Sequence, residues 1–196
     1  MNNYFQAANT GKAVSWKEWT YKIGDPILFN ENKRFSLLYN NLKGRIANIE
    51  KESDKITFTV DVDIPLTEMA CERDGLTFIE ALDGRTRISF DVFSYSDDQI
   101  EADESLRLLS VIPFQLAYAV SIHKAQGLEY DSVKVVIPGN TAEKITHGIF
   151  YTAITRAKQD LKIFWSSETM QAVVKAFSEE DARKNSLDII RRKLGG

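Results

Sequence analysis

Cysteine and histidine are scarce in this sequence. Cys71 stands alone, and 196 residues hold two histidines. An intramolecular disulfide is therefore excluded, and Cys/His zinc ligation is disfavoured. No apolar run approaches the ~20 residues needed to span a bilayer, and the polar N-terminal stretch has no signal-peptide apolar region. A cytoplasmic, reducing compartment fits these absences. Nor is there a surplus of positive charge. The 25 Lys and Arg against 28 Asp and Glu leave a net −3, so any grip on nucleic acid must be local. No G-x-x-x-x-G-K-[ST] occurs, so the phosphate-cradling loop with its Mg²⁺-binding hydroxyl is missing. No acidic pair follows a strand to offer a metal site, and neither internal repeats nor low-complexity tracts occur.

What is present is the composition of a soluble globular protein, 43% hydrophobic and 27% charged, long enough for one ordinary domain or two small ones. Residues 1–20 are polar and without clear period. The stretch Ser15-Trp16-Lys17-Glu18-Trp19 reads as a short helical turn, with Trp16 and Trp19 spaced to share a face. They are packing anchors or, on the sharper reading, base-stacking residues. From Tyr21 to about Val92 the signals are β. Gly24-Asp25-Pro26 and Asn40-Asn41 mark turns. Ile56, Phe58, Val60 and Val62 alternate with Thr57, Thr59 and Asp61, and Ile88, Phe90 and Val92 repeat the pattern. Short alternating strands between turns predict a small antiparallel barrel or sandwich. The acidic stretch 94–104 reads as a solvated connection.

From Leu106 the pattern becomes α/β. A buried strand is predicted over 116–121, ending at polar Ser121 and His123, and further strands over 133–137 and 162–165. Asn140 followed by Glu143 predicts a capping box and a helix running to Lys158. Ser167 is expected to cap a helix whose Met170, Val173, Val174 and Phe177 form a core stripe. A last helix is predicted from Ser178 through Leu194.

Two stretches carry a resemblance: Ala117-Tyr118-Ala119-Val120-Ser121-Ile122-His123-Lys124-Ala125-Gln126-Gly127-Leu128-Glu129-Tyr130, and Phe150-Tyr151-Thr152-Ala153-Ile154-Thr155-Arg156-Ala157-Lys158. In this order and spacing they resemble motifs V and VI of superfamily 1 helicases, RecD-like and UvrD-like, most closely the RecD-like branch. The order Gly-Asp, apolar strand, Asn-rich turn, Lys-Gly, apolar strand resembles the SH3-like 2B insertion of RecD-type enzymes. Asn40-Asn41 replaces the usual Asn-Gly, and Asn still tolerates a left-handed backbone. The resemblance implies an α/β fold: a RecA-like parallel-sheet domain 2A over residues 106–196, an SH3-like β-barrel over 21–105, and the tail of a preceding motor segment over 1–20. The chain is expected to be the C-terminal part of a longer protein.

The same resemblance implies site roles. Arg156 is the expected arginine finger, a planar cation matched to charge developing on a transferring phosphoryl group; a surface Arg pairing with Asp160 or Glu129 is the plain alternative. Thr152, one turn earlier, belongs to the same nucleotide-binding set with Gly127 and Glu129. Glu129 suits a ribose hydroxyl or pairing with Lys124 or Arg156. Gly127 is expected to serve close ligand approach or a positive φ. Ser121 and His123, with Lys124, match positions that donate to single-strand phosphates, and Gln126 would couple the two sites.

ATP and Mg²⁺ would be bound mainly by an upstream RecA-like domain 1A, leaving this chain inactive alone. The partners implied are that domain and single-stranded or forked DNA, RNA not excluded, in repair, recombination or conjugation. A 5′→3′ polarity is carried by the resemblance alone. A passive single-strand-binding module and a degenerate RecA-like protein-interaction domain are the rival readings.

Overall fold

The computed structural model describes residues 1–103 and 105–178. The helix expected from Ser178 onward lies outside the described residues. Contacts divide the chain into two compact units, Met1–Val120 and Ser121–Gly196.

The first unit begins with a short helix α1 (Asn2–Gln6) and a hairpin of β1 (Ala13–Trp16) and β2 (Trp19–Lys22). The hairpin corrects the helical turn expected at 15–19. Lys17 takes a left-handed φ of 52° at the tip, so Trp16 and Trp19 pair across two strands instead of sharing a helix face.

There follow β3 (Pro26–Phe29), β4 (Lys43–Lys51), β5 (Lys55–Val62), helix α2 (Glu68–Arg73), β6 (Thr77–Leu82) and β7 (Arg85–Phe93). Helix α3 (Asp97–Ala102) lies within the stretch 94–104 expected to be a bare connection, and α4 (Ser105–Ser110) follows it. A capping box between Ser96 and Gln99 starts α3, satisfying two donors that would otherwise face only water. The unit closes with β8 (Phe114–Leu116).

Six strands form one antiparallel sheet in the order β6-β7-β5-β4-β3-β8. It ends in two edge strands, so the barrel expected from the sequence is not closed among the described residues.

Alternation fixes the register. Ile56, Phe58, Val60 and Val62 of β5 are buried, and Ile88, Phe90 and Val92 of β7 face the same core. A one-residue slip would turn every one of these to solvent. In β4 the buried Ile46 and Ile49 are three apart, and an irregularity between Ile46 and Asn48 reconciles them with period two. Edge-on ring contacts knit the core together: Phe58 meets Phe114 at 5.0 Å and Tyr21 at 5.3 Å. Asn41 adopts φ 67° at its turn, the left-handed conformation that Asn tolerates.

The strand expected over 116–121 is a correction. The last paired residue is Leu116, opposite Ile27 of β3, and the Ala117 amide adds one bond to the Pro26 carbonyl at 2.8 Å. Beyond it, side chains take over the backbone groups: Asn2 donates to the Leu116 carbonyl at 3.1 Å and accepts from the Ala119 amide at 2.8 Å. Tyr118 donates to Asp25 at 2.7 Å. The apolar run is therefore an antiparallel edge followed by a tethered, irregular segment.

In the second unit β9 (Tyr130–Val136) and β10 (Ala157–Phe164) form a parallel pair, as the 133–137 and 162–165 expectations require. Parallel neighbours need a crossover. Here it is a 3₁₀ segment (Gly139–Lys144) and helix α5 (His147–Ile154). The single helix expected from Asn140 to Lys158 is thus broken. Ile145 is extended, Thr146 caps α5 by accepting from the Ile149 amide, and no side chain caps the 3₁₀ segment. Ser166, not Ser167, caps the helix over 167–178 through the Thr169 amide. Of the expected stripe, Val173 is fully buried, whereas Met170 and Val174 are exposed. Among the described residues no helix is long and apolar enough to cross a membrane.

Asp25 is fully buried and accepts from Gln6, Asn9, Tyr118 and the Lys22 amide. Asp25→Ala strands these donors, so the unfolding free energy measured by denaturant titration is expected to fall by at least about 3 kcal/mol. Burial pushes the Tyr21 phenol up to about 12, and burial together with the Asp25 bond does the same for Tyr118. A phenol whose folded value exceeds the ordinary ~10 holds its proton more tightly when folded. Stability from these groups is then complete below pH ~10 and is lost as pH rises through about 12. Melting temperature against pH should fall in that window, and Tyr118→Phe should flatten the fall.

Candidate nucleotide and strand site

The candidate residues lie in the second unit, on the two turns that flank the parallel strands. The first, 122–127, is a helical turn before β9. The Ala125 amide donates to the Ser121 carbonyl at 3.0 Å, and the Leu128 amide to that of Ala125 at 3.1 Å. This winding places Ser121, His123, Gln126 and Gly127 in solvent, leaves Lys124 half-buried and buries Ala125. The Ser121 hydroxyl faces the Lys124 amide at 3.4 Å. Gly127 exits the turn at φ 76° with open space where a Cβ would stand. Of the two reasons expected for this glycine, positive φ is the one the backbone displays.

The second turn follows α5. Arg156 lies just past the helix end, where the sequence predicted it inside a longer helix. Its Nε donates to the Thr152 carbonyl at 2.9 Å, one terminal nitrogen to the Leu128 carbonyl at 3.2 Å, and the other to Thr155 Oγ1 at 3.1 Å. The Tyr130 amide also donates to the Arg156 carbonyl at 2.9 Å. The two sequence stretches are therefore joined, through one guanidinium and one peptide group. A guanidinium has five N–H donors, so each terminal nitrogen keeps one N–H for a further acceptor.

Glu129 lies 3.5 Å from Lys158, both well exposed, an ion pair of small energetic weight. Thr152 directs its hydroxyl to the Gly148 carbonyl at 2.8 Å and lends its own carbonyl to Arg156. The packing beneath is aromatic, with Phe150 stacked on Trp165 at 5.8 Å and Val135, Ile137 and Ala153 buried around them. Burial raises the Tyr130 phenol above its ordinary value.

Sequence reasoning missed three participants. The Leu128 carbonyl, which positions Arg156, leaves no trace in residue type. Asp25 and Tyr118, which tether the segment leading to Ser121, are visible only as a Gly-Asp turn and an unremarked phenol. Among the described residues no cluster of His, Cys, Asp or Glu could hold a metal ion.

Residues 116–163 match the UvrD-like helicase C-terminal domain. The RecBCD enzyme subunit RecD of Mycolicibacterium smegmatis is 35% identical over 57 residues, 29% of this chain and 10% of that protein. The conjugal transfer protein TraA of Agrobacterium fabrum is 32% identical over 80 residues, 39% of this chain and 7% of that protein. The chain thus spans about a tenth or less of the length of these relatives. Among solved structures, the Pif1 helicase from Candida albicans aligns with a TM-score of 0.45 and 16% identity, over 86% of this chain and 43% of that one. Residues 116–163 are thus similar to the C-terminal domain of UvrD-like helicases and, over a short stretch, to RecD.

Proposed function

We propose that this chain is the second motor half of an ATP-dependent superfamily 1 DNA helicase and that Arg156 is its arginine finger. The carrying observation is the Arg156 guanidinium, anchored on the Leu128 and Thr152 carbonyls with an N–H remaining on each terminal nitrogen. Anchoring lowers the entropy lost when a phosphate is gripped, and a pre-aimed planar cation stabilises charge that develops during phosphoryl transfer.

ATP and Mg²⁺ belong mainly to an upstream RecA-like domain 1A, with Gly127, Glu129 and Thr152 completing the nucleotide side. Ser121, His123 and Lys124 donate to phosphates of a single strand, and Gln126 lies between the two sets in sequence. The helical turn 122–127 ends at Leu128, whose carbonyl holds Arg156. A shift of the finger on nucleotide binding is thereby passed to the residues that hold the strand, which is the coupling translocation requires.

In this reading the second unit belongs to a RecA-like domain 2A, for which the parallel β9–β10 pair with its helical crossover is the support. Residues 21–105 form an SH3-like 2B insertion, supported by short antiparallel strands and the Gly24-Asp25 and Asn41 turns. Residues 1–20 continue a preceding motor segment. The relatives are named as a RecBCD enzyme subunit and a conjugal transfer protein, and DNA processing in repair, recombination or conjugation is the proposed setting, in a cytoplasmic protein.

The test is single-strand-stimulated ATP hydrolysis by the full-length protein. Arg156→Ala is expected to lose ~10³-fold or more in turnover with nucleotide binding retained. Arg156→Lys should not restore it, because an ammonium cannot hold both carbonyls and still present a planar fork. This chain alone should be inert. An Arg156→Ala enzyme that hydrolyses ATP normally overturns the assignment.

A further inference from the structure

The first unit contains a cleft of about 500 Å³ between α1, the β1–β2 hairpin and residues 110–116. Four aromatic side chains line it: Trp16, Trp19, Tyr21 and Phe114. The two tryptophans differ in what they do. Trp16 is 4% exposed and belongs to the core, with the Lys51 ammonium 5.9 Å from its ring. Trp19 is 61% exposed. An indole left in water at the mouth of an apolar cleft gains by covering a flat partner.

Charge narrows the choice of partner. Lys17, beside Trp19 at the hairpin tip, is the one charged residue among the described residues that line the cleft, and no acid is among them. That holds in a chain where acids outnumber bases. Glu18 is at the tip but not in the lining. The wall opposite is held in place, since Asn2 spends its side chain on the Leu116 carbonyl and the Ala119 amide. A rigid slot with aromatic walls and a cation at its rim complements a planar base carrying a phosphate.

We propose that this cleft is a second single-strand contact, with a nucleobase stacked on Trp19 and its phosphate at Lys17. The proposal rests on the reading that this protein works on single strands, but it assigns them a site on the first unit, separate from Ser121, His123 and Lys124. Stacking tolerates any base, so the site would hold strands without reading sequence.

The experiment is equilibrium binding of a fluorescein-labelled oligo(dT) of about 15 nucleotides to this chain without ATP, by anisotropy, across a salt series. Trp19→Ala should weaken binding about tenfold with an unchanged melting temperature, because Trp19 is exposed. Trp19→Tyr, which keeps a stacking face, should recover most of it. Lys17→Ala should weaken binding mainly at low salt and flatten the salt dependence. The proposal is overturned if the wild-type chain fails to bind, or if Trp19→Ala binds as tightly as wild type. Binding that ignores Trp19 but falls with Ser121→Ala and His123→Ala would sink this site and leave the Arg156 reading standing.

Discussion

The first unit is organised around one buried carboxylate. Asp25 has no exposed surface, and every donor that reaches it is neutral: the side-chain amides of Gln6 and Asn9, the Lys22 peptide N–H and the Tyr118 hydroxyl. Burying a carboxylate is costly unless its lone pairs are met. Here they are met from the N-terminal helix, the loop behind it, the end of the hairpin and the segment after β8. The nearby Lys22 ammonium binds the Gln6 and Asn9 carbonyls instead, securing the same two residues from their backbone side. The apolar sheet supplies the bulk of the stability, and the carboxylate decides where the peripheral segments stop.

How much of this was legible in the sequence follows from the range of the forces involved. β5 and β7 could be read because period two with one buried face is a local pattern that the sheet preserves. The left-handed Asn41 and the positive φ of Gly127 were legible for the same reason, since each is a property of one residue. The hairpin at 16–19 was not: its turn uses Lys17 with no Gly or Asn to mark it, and a three-residue Trp spacing imitates a helix face. The break at Ile145 was hidden because Asn140 and Glu143 offered a capping box that the 3₁₀ segment does not use. The end of the 117–121 run was set by Asn2 and Asp25, both far away along the chain. No local pattern records that.

At the candidate site the residue types were readable and their wiring was not. Arg156 and the 121–129 stretch were singled out by their resemblance to helicase motifs V and VI, yet what joins them is a backbone carbonyl at Leu128. Any residue carries such a group. The junction explains how the guanidinium is held in position: the Leu128 and Thr152 carbonyls and the Thr155 hydroxyl orient the cation without neutralising it.

The bonds from Asn2 to Leu116 and Ala119 also tie together residues 114 and 117 positions apart in sequence. One amide side chain uses both its donor and its acceptor there. It acts as a clasp at the sheet edge, where the backbone ladder by itself gives out.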